Sequence, residues 1–383
     1  MDKDKILKEQ VQEIDLDEIM AKYDKESNYR KLSGIQLKVV TALAIMFSVF
    51  QLYTAVFGVL PAQLQRSIHI TFALVQAYLL YPTNEKMPKH KLHWLDVLLA
   101  CIAGFVGLYI PFNYHALIMR AGEQNSFDIL VAIIAVLFVL EAARRVVGLP
   151  IVIIASTFLV YCVVGPYLPG FLNHRGYSVA RIVSHMYYTT EGILGTPIGV
   201  SSTFIFLFIL FGSFLDKTGI GKFFIDLANA VAGKAVGGPA KVAVLSSALT
   251  GTISGSSVAN TVGTGSFTIP LMKSLGYKPE FAGAVEAAAS TGGQIMPPIM
   301  GAAAFLMSEF IGIPYGSIAK SAIIPALLYF SGIWIMVDLE ARKTGLVGLE
   351  ASKIPKLKKV LGERWYLFAP IFVIVYMLMS GTT

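Results

Sequence analysis

Apolar stretches close to the roughly 20 residues that a helix needs to cross a hydrocarbon core recur along the chain, separated by short polar joints. Four follow one another quickly, at 36–58, 64–81, 93–112 and 127–147. A fifth, 149–169, follows Arg144 and Arg145 and is broken by Pro166 and Pro169. Residues 170–200 are polar, glycine-bearing and aromatic, which predicts an interfacial loop or short helices lying flat. The pattern then changes: 201–216 is apolar, 238–275 is rich in Gly, Ser and Thr, 279–311 is interrupted by two prolines, and 317–337 and 365–380 are apolar again. The expected fold class is an all-α polytopic membrane protein with about nine transmembrane spans, a re-entrant helical hairpin and a discontinuous helix.

Composition agrees with lipid as the solvent. Hydrophobic residues make up 55% and charged residues 14% of the chain, with a mean hydropathy of +0.66, too little polar surface for a soluble protein of this length. The charges are also clustered, 16 of them before residue 36 and 11 between Asp338 and Arg364. The formal net charge of +7 suggests no nucleic-acid partner, because the basic residues sit in joints between apolar spans and no basic stripe alternates with stacking aromatics. Cys101 and Cys162 lie inside apolar runs and read as small core residues.

The basic residues also set orientation. Lys22, Lys25, Arg30 and Lys31, the loop with Lys86, Lys89 and Lys91, and Arg144–Arg145 share one face, so the N-terminus is expected in the cytoplasm of an inner-membrane protein. Lys241 and Lys273 both belong to that face, so residues 242–272 must enter the membrane and return. The start of the chain lacks the order of a cleaved signal peptide, and its first span is kept. Ile6, Leu7, Val11, Ile14 and Ile19 among charges fit an interfacial amphipathic helix and equally a solvated tail over 1–35.

The hairpin GTISGSSVANTVGTGSFTIPLM, Gly251 to Met272, places glycines at 251, 255, 263 and 265 beside Thr252, Ser254, Ser256, Ser257, Asn260, Thr261 and Thr264. Backbone groups freed at such a break persist at bilayer depth only inside protein or along a wet cavity. Together with neutral hydroxyl and amide oxygens they are the hard ligands that a small alkali cation accepts. Close helix packing through small residues accounts for several of the glycines as well. A second break, STGGQIMPPIMGAAAF from Ser290 to Phe305, has two glycines before Gln294 and prolines at 297 and 298, so this helix is discontinuous or kinked. Two interrupted segments in succession point to a transporter's binding site.

Few charges are deeply embedded. Glu286, within AGAVEAAAS, is a possible intramembrane carboxylate with a functional role, or a hydrogen-bonded structural acid. Glu141 with Arg144 and Arg145 reads as a snorkelling, salt-bridged terminus. His69 reads as a polar helix contact.

The run from Gly251 to Phe305, with its Gly-Ser hairpin, IPLM, GY and GGQIMPP in fixed order, resembles the large membrane subunit of tripartite ATP-independent periplasmic (TRAP) transporters. The leading spans with EAARR resemble the small membrane subunit fused ahead of it, an arrangement typical of the TAXI-type branch. The resemblance implies a small-subunit-like scaffold over 36–170, an interfacial connection over 171–200, and the first half of a carrier domain over 201–383. That half contains the re-entrant hairpin 242–272 and the broken helix 279–311. It implies no catalytic residues, and sodium-coupled uptake of a small organic anion, a carboxylate, handed over by a periplasmic or extracytoplasmic substrate-binding protein. Sodium ligands would come from Ser257, Asn260, Thr261, Gly292 and Gly293. The substrate site would be bordered by Ser254, Ser256, Thr264, Gln294 and Pro297. Such subunits carry a second, inverted copy of hairpin and broken helix, and this sequence ends at Thr383 one span after the first. The resemblance therefore predicts the N-terminal portion of a longer permease, or a truncated product that works as a non-transporting scaffold. A channel lacks a visible polar pore lining. An intramembrane serine hydrolase lacks a histidine near the break and a G-x-S-x-G around its serines.

Overall fold

The computed structural model describes residues 28–84 and 87–380, and every regular element among them is helical. The amphipathic pattern from Ile6 to Ile19 lies outside the described residues. The chain divides into two compact units, Met1–Thr203 and Phe204–Thr383.

The first unit contains α1 (Gly34–Phe57), α2 (Ala62–Leu80), α3 (Trp94–Phe112), α4 (Tyr114–Met119), α5 (Ser126–Val146), α6 (Leu149–Val164), α7 (Val179–Tyr188) and α8 (Thr196–Val200). Local chemistry sets several of the boundaries. A reciprocal capping box between Asn125 and Asp128 starts α5, and Pro150 sits in the first turn of α6, where its missing N–H costs nothing. Tyr78, Ala103, Val106, Ile110, Val131, Ala132 and Leu194 form the buried centre. Helices α2 and α3 approach closely: a Cβ at Gly107 would lie 2.1 Å from Thr71 Oγ1, the kind of contact small residues permit where lipid supplies no hydrophobic drive.

Among the described residues, seven helices are long and apolar enough to cross a membrane, fewer than the nine expected from the pattern. Helix α2, over the expected span 64–81, is not one of them. Its polar residues are consumed inside the unit: Gln65 Nε2 donates to Gln51 Oε1, Thr54 Oγ1 and the Ser202 carbonyl, and Arg66 donates to the Leu194 carbonyl at 2.9 Å. His69 pairs with Gln51 and, at 3.0 Å, with Ser201 Oγ. The stretch 279–311 divides into two short helices, neither of spanning length.

The structure also corrects the reading of Arg145. Glu141 does pair with Arg144 at 2.7 Å and with Arg145 at 2.9 Å, but Arg145 does not snorkel. Its side chain is fully buried and reaches Asp96 at 2.8 Å, with the guanidinium 4.4 Å from the centre of the Tyr78 ring. Asp96 is likewise buried and takes Arg30 at 2.6 Å from the other side, together with the Thr83 hydroxyl. A carboxylate flanked by two guanidiniums and a hydroxyl is compensated inside the unit, since Oδ1 accepts from Arg145 and Thr83 and Oδ2 from Arg30.

The second unit contains α9 (Phe206–Lys217), α10 (Ile220–Ala232), α11 (Gly238–Ser254), α12 (Ser257–Ser274), α13 (Pro279–Gly292), α14 (Ala302–Ile311), α15 (Tyr315–Thr344), α16 (Leu357–Arg364) and α17 (Ala369–Ser380). One core is built largely from small residues of α11, α13 and α15, including Ala240, Ala243, Ala282, Ala289 and Ala341. Another centres on Phe223 and Phe224 with Ile253, Ile299 and Leu367. Helix α15 ends at Gly345 in the left-handed region, φ +71°, after Arg342 and Lys343, whose charges suit the negative helix end. The base of α11 is fastened to α15, with Lys241 Nζ 2.5 Å from Asp338 Oδ1 and 5.3 Å from the centre of the Trp334 ring.

Candidate functional site

Helices α11 and α12 form an antiparallel hairpin whose turn is Gly255 and Ser256. Gly255 has φ +57°, and a Cβ there would stand 2.0 Å from the Met300 carbonyl oxygen, so both conformation and space require glycine. Ser256 starts α12 by accepting from the Ala259 N–H at 3.3 Å. The other interrupted element begins with Pro279 in the first turn of α13, tightens into a 3-10 turn over Gly293–Ile295, and resumes as α14 only after Gly301. The Pro297–Pro298 pair cannot continue a helix, and Met300 is held at φ +56°, a conformation that non-glycine residues seldom adopt.

The two breaks meet. A Cβ on Gly251 would lie 2.4 Å from Gly293 Cα, which puts the two backbones in direct contact. The Ile299 N–H donates to the Thr252 carbonyl at 3.4 Å, and Gln294 Nε2 donates to Ser257 Oγ at 3.0 Å. Asn260, fully buried, donates through Nδ2 to the Ser247 carbonyl at 2.8 Å, tying the hairpin arms together just behind the contact. Consequently the C-terminal ends of α11 and α13 and the N-terminal ends of α12 and α14 open at one place. Partial negative charge from the first pair suits a cation, and partial positive charge from the second suits an anion.

Of the residues expected to hold sodium, Ser257, Asn260 and Gly293 cluster at this contact. The Thr261 hydroxyl donates to the Ser257 carbonyl at 2.8 Å, which leaves the lone pairs of its oxygen available to a cation. Gly292 faces α15, where a Cβ would meet the Tyr329 and Phe330 rings at 2.6 and 2.7 Å, so its lack of a side chain serves packing. Of the residues expected to border substrate, Ser256 and Gln294 are exposed at the break, Pro297 follows the 3-10 turn, and Ser254 has a buried hydroxyl without a hydrogen-bond partner. Thr264 lies two turns away from the tip, buried beside Glu286.

Glu286 is fully buried. It accepts from Ser247 at 2.9 Å and Ser290 at 3.0 Å, and from Thr264 and Thr268. Ser247, Thr268 and Ser290 were not among the site residues expected from sequence. The i,i+4 spacings Thr264–Thr268 and Glu286–Ser290 carried a signal for two of them. Gly265 allows the carboxylate in, since a Cβ there would be 2.9 Å from Glu286 Cγ. Away from the tip, the phenol of Tyr277, in the turn between α12 and α13, is pushed up to about 12 by burial and by the nearby acids Asp338 and Glu340, so it stays protonated at neutral pH.

The Gly251–Gly293 contact gives a direct prediction. Gly251→Val, which forces a branched side chain against backbone, lowers stability by about 3 kcal/mol in a thermal unfolding assay in detergent. Gly263→Ala, with open space around its Cβ, leaves the midpoint unchanged or raises it.

The family model for the DctM component of tripartite ATP-independent periplasmic transporters matches residues 134–383, a region that contains both breaks. Three relatives illustrate the match. The C4-dicarboxylate TRAP transporter large permease protein DctM of Vibrio cholerae is 28% identical over 212 residues, 55% of this chain and 43% of its own length. Its Pseudomonas aeruginosa counterpart of the same name is 28% identical over 158 residues, 41% of this chain and 35% of its own. The sialic acid TRAP transporter large permease protein SiaM of Vibrio cholerae is 26% identical over 168 residues, 44% and 39% of the two chains. In each case the match spans less than half of the relative.

Proposed function

We propose, because this chain belongs to the DctM component family of tripartite ATP-independent periplasmic transporters, that it is a membrane permease component which moves a small organic anion, a carboxylate, on a sodium gradient. The carrying observation is the meeting of the two breaks, with Gly251 against Gly293 and Gln294 bonded to Ser257. Neutral oxygens of Ser257 and Asn260 and the carbonyls ending α11 and α13 would coordinate sodium. The N-termini of α12 and α14 would face the substrate carboxylate beside Ser254, Ser256 and Gln294. Discontinuous helices that present opposite ends to ion and substrate are the usual construction of secondary transporters.

The names of the relatives support an anionic substrate, since C4-dicarboxylates and sialic acid are both carboxylic acids. A substrate-binding protein on the extracytoplasmic side would deliver it, and the basic joints would hold the N-terminus in the cytoplasm.

Uptake of radiolabelled succinate and sialic acid into proteoliposomes, with the binding protein added outside, tests the reading. The expected result is saturable uptake of one of these anions that needs both the binding protein and an inward sodium gradient. Uptake that is unchanged when sodium is equal on both sides would overturn the coupling. Flux that rises linearly with substrate concentration would replace the carrier by a channel.

A further inference from the structure

Glu286 presents a charge problem that the proposed sodium set at the hairpin tip does not solve. Its carboxyl group is fully buried among α11, α12 and α13, and all four of its hydrogen-bond partners are neutral hydroxyls. The charged and titratable groups on the packed elements are engaged elsewhere. Lys241 of α11 is bound to Asp338 of α15, and Arg342 to the same carboxylate at 2.7 Å. Lys273 of α12, Glu280 of α13 and Lys320 of α15 are exposed. Tyr329 of α15 donates to the Ala288 carbonyl at 2.8 Å. Hydroxyl donors lower the cost of a buried carboxylate without cancelling its charge, and a lone charge at this depth is expensive unless something positive accompanies it.

The two carboxylate oxygens are not equivalent. Oε1 is approached by Ser247, Thr264 and Ser290, whereas Oε2 has Thr268 alone. Thr268 Oγ1 also lies 3.0 Å from the Thr264 carbonyl oxygen. Two complete hydrogen-bond patterns follow from the single proton of that hydroxyl. With the carboxylate charged, Thr268 donates to Oε2. With a proton bonded to Oε2, the carboxylic O–H donates to Thr268 Oγ1, whose own proton turns to the Thr264 carbonyl. Neither pattern leaves a buried donor or acceptor unmatched, so the cage tolerates both charge states. An alkali ion in place of the proton would take Oε2 and the Thr268 oxygen as its ligands.

We infer that Glu286, with Thr268 as its gatekeeping neighbour, is a second monovalent-cation site, separate from the hairpin tip, which takes up and releases a proton or an alkali ion as the carrier works. The link to transport rests on the permease reading above, whereas occupancy of the site does not. Thr264 touches both Glu286 and the Asn260 oxygens, which connects the site to the contact between the two breaks.

Difference infrared spectroscopy of the purified protein in lipid nanodiscs tests occupancy without any uptake measurement. Spectra of the wild type and of Glu286→Gln are recorded across a pH series at constant potassium, then across a sodium series at fixed pH. A proton site shows a carboxylic-acid band that disappears on alkalinisation and is missing in Glu286→Gln. An alkali site shows a carboxylate band that moves with sodium at constant pH and is missing in the same variant. Thr268→Val, which keeps the shape and removes the hydroxyl, shifts the pH midpoint by about one unit or the sodium half-saturation about tenfold. It also serves if Glu286→Gln does not fold. A Glu286 band, or a Thr268-sensitive carboxylate band, that responds to neither pH nor sodium while the protein stays folded overturns the inference and leaves Glu286 a fixed structural anion. Should uptake prove independent of sodium while a pH-dependent band is present, the tip assignment fails and the Glu286 site stands.

Discussion

Removing the Asp96 carboxylate is expected to be among the most damaging single changes in the first unit. Asp96→Ala leaves Arg30 and Arg145, both side chains fully buried, facing each other without the anion between them. Breaking a buried charge set by deleting one partner costs about 3–5 kcal/mol, because the surviving charges keep their desolvation penalty and lose their compensation. A fall of that size in a denaturation experiment on detergent-solubilised protein, with reduced yield from the membrane fraction, is the expected result. Glu141→Ala provides the contrast. Glu141 is about a third exposed, water and lipid headgroups replace it, and the loss stays under about 1 kcal/mol. Equal effects for the two substitutions would show that the Asp96 cluster is not the keystone of the unit.

The second large effect concerns transport. Asn260→Ala removes the amide that donates to the Ser247 carbonyl at 2.8 Å and the side-chain oxygen proposed for sodium. One lost buried hydrogen bond costs about 1–3 kcal/mol, which a helical core of this size survives. Sodium-dependent uptake, by contrast, should fall at least tenfold, with membrane insertion intact by protease accessibility. The order-of-magnitude figure follows from losing one ligand worth about 1.4 kcal/mol or more. Wild-type uptake in this variant would count against the sodium assignment. Restoration of uptake by raising sodium alone would identify the defect as one of ion affinity.

Much of the second unit could be read in advance because its signals are local. Glycine at 255, serine at 256 and the proline pair at 297–298 each interrupt a helix by their own backbone chemistry, so the hairpin and the discontinuous helix follow from short segments. The small residues around Glu286 likewise marked it as embedded. The Asp96 cluster was hidden for the opposite reason. Arg30 and Arg145 lie 66 and 49 residues from Asp96, and a rule that counts basic residues near span ends treats Arg145 as a loop cation even when its side chain points into the bundle. The partners of Gln65, Arg66 and His69, on α1 and on residues 194–202, were out of reach for the same reason, since they come together only after folding. Gly292 and Gly293 likewise look alike in sequence, and only packing tells which one faces Tyr329 and which one faces the hairpin.

If the chain carries an anion as proposed, the backbone contact between Gly251 and Gly293 also limits how its cargo preference can be altered. Neither position has room for a side chain, so neither can store information about what is carried. On that proposal, any retuning would be written in the neighbouring Ser254, Ser256 and Gln294. A mutant library that randomises those three codons and leaves both glycines untouched would sample altered selectivity without dissolving the crossing on which it depends.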